Sequence, residues 1–255
     1  MSRSTKEQTR YKVLLVDDDA VSLEIVGLLL AHEGHQVLKA NDAGIALKLL
    51  SDRTKHPDVL LVDLQMPGIS GGQLAEKVRA TERSGPVMLA MSATEVPRQQ
   101  LLAFDGFLLK PLAPDDLRKA MEEHRRGRSP GVRNVHRSKA PAASTDIVDI
   151  AVIEKLLTMM PLDALQDTIA ACIADTRSCV HALQGQVHHN DGVRRLAHRI
   201  KGAASMIGAV RLARLAASLE TGGSKEAATP GALNDLLRAC SELERMLLAG
   251  NLTKI

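Results

Sequence analysis

The run Val13-Leu14-Leu15-Val16 leads into Asp17-Asp18-Asp19, and Val59-Leu60-Leu61-Val62 leads into Asp63, followed by Leu64-Gln65-Met66-Pro67-Gly68. A third apolar run ends in Ser92, and a fourth, Phe107-Leu108-Leu109, ends in Lys110-Pro111. If these runs are neighbouring strands of one sheet, their ends gather three carboxylates, a hydroxyl and an ammonium around one cavity. Clustered Asp side chains cannot all ionise cheaply unless a cation joins them. Hard oxygen donors favour Mg²⁺, which keeps several waters and bridges carboxylates to a phosphoryl group. In such a setting Asp63 is a nucleophile that accepts phosphoryl as an acyl phosphate. Lys110 can pair with one phosphoryl oxygen and Ser92 can hydrogen-bond another. A single strand-end Asp reads as a helix cap or a turn; the whole set, in this order, does not.

A second candidate lies far along the chain. In the helical pattern 191–208, Val193, Leu196, Ala197, Ile200, Ala204 and Ile207 form one apolar stripe. At 100° per residue His198 points about 140° from the centre of that stripe, toward solvent. Arg194 and Arg195 precede it, and Lys201 and Gly202 follow. An exposed imidazole can act as a nucleophile, nearby cations would neutralise a transferred phosphoryl group, and a glycine leaves space for a partner. Position alone does not single His198 out, since a surface histidine on a basic helix is usually inert. His188 and His189, beside Asn190 at a helix start, could bind a metal but read more simply as solvated loop residues.

These residues need elements to hold them. Strands are expected at Lys12–Val16, Gln36–Lys39, Val59–Val62, Val87–Met91 and Phe107–Leu109, with helices at 20–33, 42–52, 71–82, 95–103 and 114–126. Strict alternation implies a doubly wound α/β domain with a five-stranded parallel sheet, functional at the carboxyl ends of its strands. The second half shows only helical periodicity, over about 146–160, 162–186, 191–208, 209–220 and 231–249, which implies an all-α helix bundle. Between them the pattern dissolves. The chain is therefore expected to divide into domains at 1–126 and 146–255, joined by a flexible basic linker at 127–145.

Composition narrows the classes. The 255 residues carry a net charge of +3, but six cations and no acid fall within 125–139, leaving −3 for the rest. The basic character thus belongs to one short segment, read as a solvated tether rather than a nucleic-acid surface. With no Trp, one Tyr and two Phe, base stacking has little to work with. Cys172, Cys179 and Cys240 show no metal-site spacing and read as core residues of a reducing compartment. The first residues lack the apolar stretch of a secretory signal, and no apolar run approaches a membrane span, so a cytoplasmic protein is expected.

The acidic set over residues 11–126 resembles the receiver domain of bacterial response regulators, a flavodoxin-like fold. The resemblance implies that Asp63 is the phosphoacceptor, that Asp17 and Asp18 support Mg²⁺ and that the backbone carbonyl of Gln65 adds a ligand. It implies roles for Ser92 as switch hydroxyl, Lys110 as phosphate-pairing lysine and Phe107 as the rotating aromatic, for which a plain core Phe is the alternative reading. It also implies a cis Lys110–Pro111 bond. Only eighteen positions separate Ser92 from Lys110, about a helical turn fewer than the family has, so the helix at 95–103 is short. The segment Leu196-Ala-His-Arg-Ile-Lys-Gly-Ala-Ala-Ser-Met-Ile-Gly208, with the later Leu219-Glu220, resembles the signature of histidine phosphotransfer domains. That similarity implies a four-helix bundle with an extra helix, phosphorylation of a ring nitrogen of His198, and supporting roles for Lys201 and Gly202.

The combined reading is a phosphorelay protein in which phosphoryl moves between Asp63 and His198, with Mg²⁺ as cofactor and a sensor histidine kinase and a further receiver or response regulator as partners. No ATP-binding module is visible, so an ATP-dependent kinase is not expected. A Mg²⁺-dependent phosphohydrolase would need a second acid two residues after its nucleophile, where this chain has Gln65. A DNA-binding regulator would need a recognition-helix pair after the receiver, and none follows.

Overall fold

The computed structural model describes residues 10–81, 85–112, 114–125, 135–136, 147–184, 190–222 and 229–248. Six parallel strands form one sheet in the order β2-β1-β3-β4-β5-β6. They are β1 (Lys12–Val16), β2 (Gln36–Ala40), β3 (Val59–Asp63), β4 (Val87–Ser92), β5 (Gly106–Leu109) and β6 (Val135–His136). The helices of this half are α1 (Ala20–His32), α2 (Ala43–Ser51), α3 (Gly71–Thr81) and α4 (Pro114–Arg125). The first five strands agree with the sequence reading. The sixth does not: Val135 pairs with Phe107 and His136 with Leu108, inside the segment read as a linker. A two-residue strand leaves no hydrophobic period to detect, and the other linker residues, like His188 and His189, lie outside those described.

Side chains of the inner strands alternate between two buried faces. Val13, Leu15, Leu61, Leu89, Met91 and Leu108 meet α1 and α4. Leu14, Val16, Leu60, Val62, Met88, Ala90 and Phe107 meet α2 and α3. Both faces being covered explains the continuously apolar runs of β1 and β3.

The helix expected at 95–103 is only a 3₁₀ turn, Arg98–Leu101. Pro97 precedes it, and a proline biases the residue before it toward extended backbone, so the turn cannot grow backward. Forward growth is stopped where Asp105 leaves the turn to accept a hydrogen bond from the Met88 amide at 2.8 Å. The surface that this helix would have offered is therefore a short loop carrying Leu102, which is 82% exposed.

The second half is helical: α5 (Ile150–Met159), α6 (Leu162–Gln184), α7 (Asn190–Met206), α8 (Val210–Gly222) and α9 (Pro230–Leu248). Helix α5 is capped by Asp149, whose carboxylate accepts from the Ala151 amide. Leu165, Ile169, Cys172, Ile173, Val180 and Leu183 of α6 face Leu212, Ala216, Leu236, Cys240 and Leu243 in one core. Among the described residues, no helix is long and apolar enough to cross a membrane.

That core does not stop at the bundle. One continuous buried cluster includes sheet residues, α1 and the residues of α5 to α9, and α1 contacts α5, α6 and α7. The composition of α1 explains the contact. Val21, Leu23, Ile25, Val26, Leu28, Leu29 and Leu30 leave no wholly polar face, and a helix that is apolar all round is buried on more than one side. Here one side meets the sheet and another meets the bundle.

Candidate functional site

The sheet changes winding direction between β1 and β3, and the carboxyl ends at such a switch point form a crevice. Asp17 and Asp18 follow β1, and Asp63 is the last residue of β3. Asp19 caps α1, its carboxylate accepting from the Val21 and Ser22 amides, so the acidic run is held at the mouth of the crevice. Gly71 opens α3 directly behind Asp63. A Cβ there would stand 2.1 Å from the Asp63 carbonyl oxygen, so only glycine lets α3 approach the strand end this closely.

Oxygens of Asp17, Asp18 and Asp63 lie within 4.8 Å of one another. Lys110, on a cis bond to Pro111, donates to Asp17 Oδ2 at 2.6 Å and to Ser22 Oγ at 3.3 Å. Its Nζ is also 2.8 Å from Asp63 Oδ1, although that oxygen accepts no hydrogen bond of good geometry. Asp63 Oδ2 accepts from the Gln65 amide at 2.9 Å. Burial pushes the Asp17 carboxyl up, with Asp63 adding to the effect and Lys110 opposing it. Asp18 is raised by burial and Asp63, against the pull of Arg199. For Lys110, burial acts to discharge the amine, but Asp17 and Asp63 hold it charged. One ammonium among three carboxylates leaves unbalanced negative charge, an unsatisfied buried carboxylate oxygen and an all-oxygen donor set. That combination fits a hard divalent cation such as Mg²⁺.

The bundle completes the cavity. Asp17, Asp18, Asp19, Asp63, Gln65 and Lys110 from the sheet share it with His198, Arg199 and Gly202 of α7. Its free space is about 20 Å³, room for one water-sized sphere. The expectation that His198 faces solvent is therefore corrected: it is 5% exposed. The helical wheel located the stripe that packs within the bundle, but the opposite side of α7 is covered in turn by α1 and the acidic crevice. Gly202 is buried, yet a Cβ on it would meet nothing within 4 Å.

The remaining expected residues lie around the cavity rather than in it. Ser92 is fully buried at the end of β4, and its hydroxyl accepts from the Thr94 amide at 3.2 Å. Phe107 belongs to the core on the α2 and α3 face. Lys201 turns to Glu220, 3.2 Å from Oε2. Glu220, which carried no role in the sequence reading, also receives the histidine: His198 Nδ1 is 2.7 Å from its Oε1. A carboxylate on Nδ1 fixes the tautomer with the proton on that nitrogen and leaves the Nε2 lone pair free. Burial works against ionisation of Glu220, but His198 and Lys201 together hold its carboxyl below the usual range. Its stabilising contribution is thus present above its unfolded value of 4.5 and lost as the pH falls through the lower folded value. Thermal melts of the wild type should show this added loss below pH 4.5, and melts of Glu220→Gln should not.

Comparisons with known proteins place both halves in known domain families. Residues 13–122 match the response regulator receiver domain and residues 153–249 match the Hpt domain, together well over half of the chain. The chain belongs to the two-component phosphorelay proteins that carry a receiver and an Hpt domain on one polypeptide. The virulence sensor protein BvgS of Bordetella pertussis is 26% identical over 248 residues, covering 92% of this chain and 20% of that protein. The putative two-component response regulator ARR21 of Arabidopsis thaliana is 32% identical over 125 residues, covering 47% of this chain and 20% of that protein. The chain thus spans about a fifth of the length of these two relatives. Among solved structures, chemotaxis protein CheY4 of Vibrio cholerae is 30% identical, covering 45% of this chain and 98% of that one, with a TM-score of 0.41.

Proposed function

We propose that this chain carries phosphoryl between Asp63 and His198, with the receiver at residues 1–126 and the phosphotransfer half at 146–255. The observation that carries this reading is the shared cavity, which both side chains line. In the forward direction a carboxylate oxygen of Asp63 attacks phosphorus of the donor, and the donor's leaving group departs with its electron pair. In the exchange step the Nε2 lone pair of His198 attacks phosphorus, the P–O bond to Asp63 breaks, and Asp63 recovers its carboxylate; the reverse step regenerates the acyl phosphate. The Glu220 carboxylate stabilises the positive charge that the imidazole gains, and Lys110 stays beside the oxygens that carry the negative charge. Asp17, Asp18, Asp63 and the Gln65 carbonyl would hold Mg²⁺, which when bound neutralises charge on the transferring group. Ser92 and Phe107 are assigned to sensing the phosphorylated state, and Lys201 to holding Glu220.

In this reading the chain is a carrier and not an ATP-dependent kinase. It receives phosphoryl from a sensor histidine kinase or a small acyl phosphate and passes it to or from a further receiver. No direct contact with nucleic acid and no membrane insertion are part of it. The three free, buried cysteines suit a cytoplasmic setting.

Labelling by a small acyl phosphate tests the reading. Wild type should label on both Asp63 and His198, His198→Ala on Asp63 alone, and Asp63→Ala on neither, all dependent on Mg²⁺. Full labelling of Asp63→Ala, or labelling undiminished in excess chelator, would refute the assignment. Glu220→Ala should leave labelling of Asp63 unchanged while slowing transfer to His198 by about tenfold or more, as loss of a tautomer-fixing partner does elsewhere.

A further inference from the structure

The reading above gives Arg199 no part, although it lines the cavity beside the acidic triad. Its guanidinium is held in a two-point clasp by Asp175 of α6, Nε to Oδ2 at 3.1 Å and Nη2 to Oδ1 at 2.7 Å. The clasp is built within the bundle, so the cation is aimed before the domains meet. It remains 36% exposed at the side chain, and Asp18 lines the same cavity from the receiver side. The other basic residues on the same helix do not compete for this place. Lys201 is taken up by Glu220, and Arg194 and Arg195 are exposed and line no part of the cavity.

We infer that Arg199 is a positioning and specificity residue, which seats the phosphotransfer half on the receiver by setting a clasped guanidinium against Asp18 at the rim of the shared cavity. This inference rests on the proposed exchange between Asp63 and His198. It adds a consequence for Mg²⁺. A fixed cation beside Asp18 and a metal on Asp18 repel each other, so docking loosens the metal and the metal loosens docking, by the reciprocity that governs any two coupled sites. A bundle with an acidic or neutral residue in place of Arg199 would meet Asp18 without that match, and like charges across such a contact are strongly disfavoured.

The test uses the full-length chain with two readouts, single-turnover transfer between Asp63 and His198, and Mg²⁺ affinity measured by calorimetry with the metal alone. Arg199→Ala should slow transfer about tenfold and tighten Mg²⁺ binding about threefold or more, on the scale of a partly exposed charge pair. Arg199→Glu should slow transfer further, and Arg199→Lys should keep both quantities within about threefold of wild type because the charge remains. Slower transfer in Arg199→Ala without any change in Mg²⁺ affinity would reduce Arg199 to a structural clasp and overturn the inference. Equal damage in Arg199→Lys and Arg199→Ala would overturn it as well. If wild type itself transfers nothing, the proposed exchange fails, while the Mg²⁺ comparison still decides the role of Arg199.

Discussion

Diluting the intact chain should leave the rate of phosphoryl exchange between Asp63 and His198 unchanged, whereas a mixture of Asp63→Ala and His198→Ala chains should slow in proportion to dilution. The expected contrast is large because the two residues line one cavity in a single chain. A pair linked only by a flexible tether would enjoy an effective concentration on the order of mM. At chain concentrations of about 1 μM, that alone separates the two cases by roughly a thousandfold. The apolar contact through α1 should widen the gap further. The mixture must also open two occupied cavities before foreign halves can meet. Equal slowing of both samples would show that exchange runs between molecules and would detach the shared cavity from function.

Cutting the chain once between Arg125 and Ile147, at an inserted protease site, should leave its two halves co-eluting from a sizing column. This differs from what the sequence suggests, since a basic linker between two domains reads as the boundary of two independent bodies. The buried cluster runs from Val13 through α1 to Leu243 without a break, as in a permanent interface, which resembles a domain core cut in half. The separated receiver would expose the outer apolar side of α1, and the separated bundle the side of α7 that carries His198. Halves that elute apart at about 10 μM would mean that association is weaker than this core implies.

Much of the site was legible because its chemistry sits at strand ends. Asp17, Asp18, Asp63 and Lys110 each follow an apolar run, and a parallel sheet brings such ends together whatever the intervening helices do. His198 was legible as a residue but not in its surroundings. The periodicity of α7 reports the side that packs within its own bundle and is silent about a second neighbour from another half of the chain. The signal that could have supplied it was in α1, whose leucines and valines run round the whole helix where a surface helix would show a polar side. The role of Glu220 was hidden for a different reason. The residue lies twenty-two positions after His198, on a helix whose register against α7 no local spacing gives. The turn at Arg98–Leu101 shows the reverse case, in which helical spacing over 95–103 was overridden by Pro97 and by the short distance left to β5.

The mutual burial of Asp63 and His198 also bears on cross-talk. In the closed arrangement neither acceptor can be read by another protein, so every outside kinase, receiver or phosphatase must wait for the halves to part. A chain that is open about 1% of the time weakens the apparent affinity of every such visitor about a hundredfold, equivalent to about 2.8 kcal/mol. Visitors that bind the open form tightly can meet that toll, and casual ones cannot. The fold would then filter its clientele by the opening step alone, insulating the stored phosphoryl group without a discriminating contact for each wrong partner.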